Sequence, residues 1–374
     1  MDFSWTAEQE TLFRGGLEFA AGRLDRADGD RRASWRLCGE GGFLGLCVPR
    51  EFGGLELDLL TAARVIEALG QGCRDTGLAF AAAAHLFACA LPIAEFGLDH
   101  TKRRLLPGLC AGELVGANAA SEPEAGSDIL ALRTRAERDG DAYVLNGQKS
   151  YVTNAAEADV IVVYASTNPA HGYLGLSAFA VDRDTPGLEV GEPHDKTGLR
   201  RASLAPIYLD DCRVPATRML GEEGQGAVVF AASMQAERSG LFAAYLGVME
   251  RQLEEVVEFA KTRHQFGRPI GKNQAVSHRI VDMKLRLDAA RLLLYRACWA
   301  AAHTRDPGIE VSLAKIAVSE AAVASAIDAV RIHGGAGVVS ETHVDRALHD
   351  ALPSTIFSGT SEIQRDIVAA KLGL

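Results

Sequence analysis

Several short stretches of this chain hold residues that can do chemistry. The last is Ala351 to Leu374, ALPSTIFSGTSEIQRDIVAAKLGL. There a serine, Ser358, precedes Gly359-Thr360, and Glu362 follows. A neutral serine is no base unless another base activates it, and no histidine neighbours Ser358 in sequence. The stretch SMQAERSG places a carboxylate, Glu237, beside a guanidinium, Arg238. Near a helix start such a pair is also an ordinary dipole-favoured arrangement.

Four other stretches suit the binding of a planar or anionic group. In ASEPEAGSD, Ser121 and Ser127 offer hydroxyls around a turn, and nearby amides can face an anion. The bland alternative is a polar loop. In GQKSYVTNA, Tyr151 can wall a planar ring while the Thr153 hydroxyl donates to one of its nitrogens. A plain hairpin with a half-buried tyrosine would read the same way. KTRHQFGRPIG ends a helical pattern with Lys261, Arg263 and His264, then turns at Gly267-Arg268-Pro269. Cations are favoured at a helix C-terminus in any case. IHGGAGVVSETHVDRALHD clusters Gly334, Gly335 and Gly337 after a helix. That suits a backbone platform or a bare helix stop, and it lacks the preceding strand of a Rossmann turn.

The elements that must position these groups follow an α, β, α order. Residues 1–116 read as an N-terminal helical domain rich in alanine. TAARVIEALG predicts a helix capped at Thr61 and closed at Gly70. Residues 117–226 carry short β-rich runs such as AYVLNG, DVIVVYA and LAPIYLDDCRVP between turn residues, predicting a middle β-domain. Residues 227–374 return to helix. Leu241, Tyr245, Val248 and Val256 share one face there, widened by Met249, Leu253 and Val257.

Length and composition set limits. The chain has 374 residues, enough for two or three packed subdomains. A net charge of −10 disfavours a general nucleic-acid binder while leaving room for a local phosphate pocket. We find no uncharged apolar run long enough to predict a membrane span. The start, MDFSWTAEQE, shows no signal-peptide pattern, so we expect a cytoplasmic protein. Seven scattered cysteines without a C-x-x-C pair read as buried thiols rather than a disulfide or zinc framework.

Taken together and in order, ASEPEAGSD, YVTN, RHQFGRPIG, IHGGAG…E…DR…D and SGTSEIQR give a chain that resembles the acyl-CoA dehydrogenases over essentially its full length. The resemblance implies an α+β architecture: an all-α N-terminal domain, a middle antiparallel β-barrel or sandwich, and a C-terminal four-helix bundle. It implies FAD as cofactor and α,β-dehydrogenation of an acyl thioester, with electrons passed to an electron-transfer flavoprotein. It also implies a homodimer or homotetramer. By similarity, Ser121, Ser127, Tyr151 and Thr153 meet the flavin. Arg263 and Phe266 reach its adenosine diphosphate half from a neighbouring subunit. Gln274, Arg331, Gly334, Gly335, Thr360 and Glu362 complete the cofactor positions. Ser127, Arg238 and Gly359 fall on the substrate side. Two positions depart from the family pattern: Arg331 stands where Gln or Glu usually precedes IHGG, and Val338 where an aromatic is frequent.

The largest departure is Ser358, which occupies the place of the catalytic glutamate in many members. Other branches carry the base on a helix early in the C-terminal domain, as the Glu of an Glu-Arg pair, and Glu237-Arg238 matches it. The resemblance therefore implies Glu237 as the base that takes the α-proton while hydride leaves for flavin N5. Ser358 keeps a role through its backbone N–H, which binds the thioester carbonyl. We expect a CoA thioester ahead of one on a carrier protein; HRIVDMKLRLDAAR and the C-terminal stretch also resemble dehydrogenases of bacterial secondary metabolism. Two rival functions are a flavin oxidase or monooxygenase on the same fold, and a non-catalytic flavin- or acyl-binding protein.

Overall fold

The computed structural model describes residues 4–25 and 30–374. Six α-helices come first: α1 (Ala7–Phe19), α2 (Arg31–Glu40), α3 (Leu59–Gly72), α4 (Thr76–His85), α5 (Leu91–Phe96) and α6 (Asp99–Ala111). Side-chain caps explain where several begin. Thr6 accepts from the Gln9 amide at 3.2 Å, and Gln9 accepts from the Thr6 amide at 3.0 Å, a reciprocal capping box. α3 starts earlier than Thr61 suggests: Asp58 is its cap, accepting from the Thr61 amide at 3.0 Å, and Gly70 lies inside the helix.

α4 and α5 are joined through a π-turn at Leu86–Ala90 into one rod, Thr76–Phe96. By length and apolarity this rod meets the criteria for a membrane span, contrary to the expectation that no such run exists; 89% of its apolar window is buried inside the molecule. A helix apolar on all sides is a core helix in such a setting. His85, which interrupts the apolar run, is fully buried. Its Nδ1 accepts from the Gly116 amide at 2.8 Å, and its Nε2 lies 3.2 Å from the Leu109 carbonyl. Burial lowers its pKa to about 4, so it stays neutral.

The middle segment is an eight-stranded sheet built from β1 (Gly116–Ala119), β2 (Arg135–Asp139), β3 (Ala142–Thr153), β4 (Val160–Ser166), β5 (Leu176–Asp182), β6 (Leu188–Val190), β7 (Leu204–Pro215) and β8 (Met219–Leu220). Its order is β6-β7-β3-β2-β4-β5-β8, with β1 beside β4. Most pairs are antiparallel, as expected; β1 and β2 both pair β4 in parallel. One face is buried by Tyr143, Leu145, Ile161, Val163, Phe179 and Ile207. The β3–β7 ladder slips register between Lys149 and Val152, and within that bulge Tyr151 adopts φ +55°.

Helices resume with α7 (Gly226–Gly240) and α8 (Ala243–Thr262). A two-strand hairpin follows, β9 (His264–Gln265) and β10 (Arg268–Pro269), then α9 (Gln274–His303), α10 (Gly308–His333), α11 (Val344–Ala351) and α12 (Ser361–Lys371). The predicted face is the buried one: Leu241, just before α8, and Tyr245, Val248 and Val256 on it are all inside. α3 and α8 approach closely because two glycines meet. A Cβ on Gly70 would sit 2.0 Å from the Ala244 carbonyl oxygen, and one on Gly247 2.0 Å from that of Glu67. One continuous core thus joins the first and last helical segments and holds α7 against the rod Thr76–Phe96.

Candidate active site

Glu237 lies in the last turn of α7, the first helix of the C-terminal segment, so the bland helix-start arrangement does not apply to it. α7 ends at Gly240, and the chain turns at Leu241–Phe242 and continues into α8. The Glu237 carboxylate is buried. At a helix C-terminus the dipole gives a carboxylate no help. Burial pushes the Glu237 pKa above the ordinary range, against a hydrogen bond from Ser358 and the charge of Arg238.

Ser358 comes from 121 residues away and donates its hydroxyl to Glu237 Oε1. The sequence reading allotted Ser358 a backbone role alone; its side chain grips the carboxylate. Ser358 itself sits at φ +57°, a left-handed conformation uncommon outside glycine. Its carbonyl is held by Arg238 Nε at 2.8 Å and, more loosely, by Gln364 Nε2 at 3.4 Å. Gln364 also reaches the Gly359 carbonyl at 3.2 Å. Gly359, at φ +83°, sits in a conformation that favours glycine, and a Cβ there would also crowd Gln364 Nε2 at 2.7 Å and Arg238 Nη2 at 3.2 Å. Thr360 caps α12, accepting from the Ile363 amide at 3.3 Å. The Ser358 N–H makes no hydrogen bond among the described residues.

Next to Ser358 in the chain, Phe357 packs its ring 4.7 Å from Phe80 and 5.4 Å from Phe242. A cavity of about 310 Å³ runs along α7. Arg238 and Met234 of α7 line it toward the turn; Phe230, Tyr164 and Tyr173 line it farther along.

The ASEPEAGSD loop holds a second buried carboxylate. Glu122 accepts from Lys149 Nζ at 2.7 Å, from the amides of Arg133 and Thr134 at 2.6 and 3.0 Å, and from the Thr134 hydroxyl at 2.5 Å. Burial alone would raise its pKa; Lys149 and the donors outweigh burial and hold it below the ordinary range. Burial lowers the Lys149 pKa to about 8 against the pull of Glu122. The same loop is tied to β3 by the Ser150 amide, 2.9 Å from the Ser121 carbonyl. Ser127 is exposed just before Asp128, whose side chain caps a short 3-10 turn.

The residues expected to meet a flavin lie mostly on open surfaces. Tyr151 is 66% exposed, its ring 5.5 Å from that of His194, and Thr153 ends the same strand half-buried. A Cβ on Gly126, Gly334 or Gly335 would meet no atom within 4 Å, so bare backbone faces outward at all three. Such ring faces and bare backbone fit a large flat group with phosphates. Arg331 lies 3.9 Å from Asp328. Arg263, Phe266 and Gln274 are not brought to the Glu237 cluster within one chain. Phe266 is 95% exposed at the tip of the β9–β10 hairpin, at φ +53°.

Sequence reasoning missed three contributors. Gln364 lies within SGTSEIQR, where an amide carries no signature of its bonds to the Ser358 and Gly359 carbonyls. Glu122 lies in ASEPEAGSD between the two serines singled out there, and Lys149 in GQKS offers the complementary charge. Phe357 has no chemical signature at all; only the fold shows its packing against Phe80 and Phe242.

An all-α segment, a β-sheet and a helical bundle, with a buried glutamate at their junction, define the acyl-CoA dehydrogenase class of fold. Comparison with known proteins agrees. Residues 7–113, 117–212 and 224–373 match the N-terminal, middle and C-terminal domains of acyl-CoA dehydrogenase. An L-prolyl-[peptidyl-carrier protein] dehydrogenase of Pseudomonas fluorescens is 54% identical over 342 residues, 91% of this chain and 90% of that protein. The solved prolyl acyl carrier protein oxidase AnaB superposes with a TM-score of 0.96 at 42% identity, covering 99% of this chain and 100% of that one. PigA with FAD and proline superposes equally well, at 0.96 and 42%, over 100% of both chains.

The chain belongs to the acyl-CoA dehydrogenase family. It is an FAD-dependent oxidoreductase that dehydrogenates an acyl thioester at a CH–CH bond. The non-catalytic reading is therefore set aside.

Proposed function

We propose that the substrate is a small aminoacyl thioester, prolyl foremost, held on a carrier protein, and that Glu237 is its base. The buried Glu237 carboxylate gripped by Ser358 carries the reading of the base. The carrier-protein relatives at 54% and 42% identity support the substrate, ahead of the CoA thioester expected from sequence. The Ser358 hydroxyl occupies Oε1 and leaves Oε2 to take the hydrogen α to the thioester carbonyl. The Ser358 N–H donates to that carbonyl and stabilises the enolate-like charge as the proton leaves. Arg238 fixes the turn that presents both groups. FAD, when bound, supplies the acceptor for the hydride from the β carbon. Ser121, Ser127, Tyr151, Thr153, Arg331, Gly334, Gly335, Thr360 and Glu362 are the residues of one chain that hold it. Arg263, Phe266 and Gln274 serve the cofactor of a second copy in a homodimer or homotetramer. Seven free cysteines suit a reducing cytoplasm, with electron-transfer flavoprotein as acceptor.

A second reading, favoured by the name of AnaB, is that oxygen reoxidises the flavin. Rapid oxygen consumption by the substrate-reduced protein would support it. The test of the main reading is anaerobic flavin bleaching. Prolyl thioester on a phosphopantetheinylated carrier should bleach the flavin at least about tenfold faster than prolyl-CoA or a short acyl-CoA. Bleaching by acyl-CoA alone would refute the carrier reading.

A further inference from the structure

The cavity beside Glu237 opens toward a face that carries more apolar surface than its surroundings require. Its lining follows α7 from Ala227 to Arg238, about 16 Å along the helix at 1.5 Å per residue. At one end Arg238 holds the carbonyl of Ser358, whose hydroxyl bonds the buried Glu237 carboxylate. Toward Ala227 the lining reaches Tyr173 and Ile129. Around that end stand Leu130, Tyr173, Leu174 and Val228, 45%, 55%, 76% and 58% exposed. The loop and the helix form one surface: the Gly224 amide donates to Ser177 Oγ at 3.0 Å, and a Cβ on Gly224 would lie 2.5 Å from the Leu174 carbonyl oxygen.

Charge is what discriminates between partners here. The cavity lining has one cation, Arg238, and its Nε is committed to the Ser358 carbonyl. Nearby, Arg133 is paired with Glu124 at 2.5 Å, and Lys371 with Asp306. A nucleotide's phosphates would look for unpaired cations at this mouth. A cluster of large apolar side chains, with the exposed carboxylates Asp128, Glu222 and Glu223 beside it and no unpaired cation in the cavity lining, instead matches the desolvated centre and polar rim of a protein interface.

We propose that the rim of Leu130, Tyr173, Leu174 and Val228 is the docking face for the carrier-protein domain that delivers the thioester. This rests on the carrier-bound substrate reading above. A substrate tethered by a phosphopantetheine arm leaves its protein at the mouth of the channel it enters, and this rim is the surface at that mouth. The partner presents an apolar patch around the base of its arm.

The test uses the flavin-loaded protein with Leu174→Asp and Val228→Asp, two exposed positions outside the cavity lining. Each should raise KM for the carrier-bound thioester about tenfold or more, with kcat at saturation retained. The same aminoacyl group on free pantetheine should keep wild-type parameters in both variants, and their flavin content and Tm should match wild type. An unchanged KM for the carrier-bound substrate, or equal losses on both substrates, overturns the docking face. A wild-type protein that oxidises the pantetheine thioester but not the carrier-bound one overturns the substrate reading itself.

Discussion

Glu122 and Glu237 are buried to nearly the same extent, 7% and 9% exposed, yet their surroundings point in opposite directions. Glu122 is saturated: an ammonium, two amides and a hydroxyl all donate to it, and it stays ionised below the usual carboxylate range. Burial raises the Glu237 pKa, because it receives only one neutral hydroxyl and its neighbouring cation is turned to a carbonyl, too little to offset the lost hydration. A carboxylate with every lone pair engaged braces a loop. One left partly unsatisfied has an oxygen free and a proton affinity closer to neutrality, which suits a base.

Breaking each member should give different failures. Glu237→Gln should lower the rate of flavin reduction roughly 100- to 10,000-fold in anaerobic stopped flow, while flavin and ligand binding persist. The same variant should raise Tm. A carboxylate whose folded pKa is raised contributes stability below its unfolded pKa and loses it as pH rises through the folded value. At neutral pH its ionised form is a cost that glutamine removes, so the Tm gain should vanish in acid.

Glu122→Ala should instead destabilise the fold, by about 3–5 kcal/mol in denaturant titration, because it strands the Lys149 ammonium in the sheet. Replacing both partners, Glu122→Gln with Lys149→Met, should recover much of that loss. The smallest effect sharpens the comparison most. Ser358→Ala removes the hydrogen bond that lowers the Glu237 pKa, so the acid limb of kcat/KM should move to higher pH, with activity near neutrality falling up to about tenfold. No such shift is expected for Lys149→Met in protein that remains folded.

How much of this was readable depended on distance along the chain. The α, β, α order follows from the change between 3.6-residue and alternating patterns, and the buried face of α8 was read residue by residue. The start of α3 was misplaced because Thr61 looks like a cap, while its hydroxyl in fact serves Asp58, 2.5 Å from Oδ2. The alanine-rich run inside the rod Thr76–Phe96 is legible as packed helix, while the fit of His85 within it is not, because the fold bonds both ring nitrogens across the chain. Glu237 was identified by resemblance alone. Its bond to Ser358 closes a loop of 121 residues that no local pattern encodes. The Glu122–Lys149 pair is a shorter case of the same limit: the charges are visible, their meeting is not.

The account turns on proton removal by Glu237, and that step can be watched apart from oxidation. A thioester with an α-hydrogen but no β-hydrogen to lose is incubated with the protein in D₂O and followed by mass spectrometry. Wild type and Ser358→Ala should both exchange the α-hydrogen for deuterium, the variant with its acid limb at higher pD, and Glu237→Gln should not exchange above the uncatalysed rate. Undiminished exchange by Glu237→Gln would contradict the account.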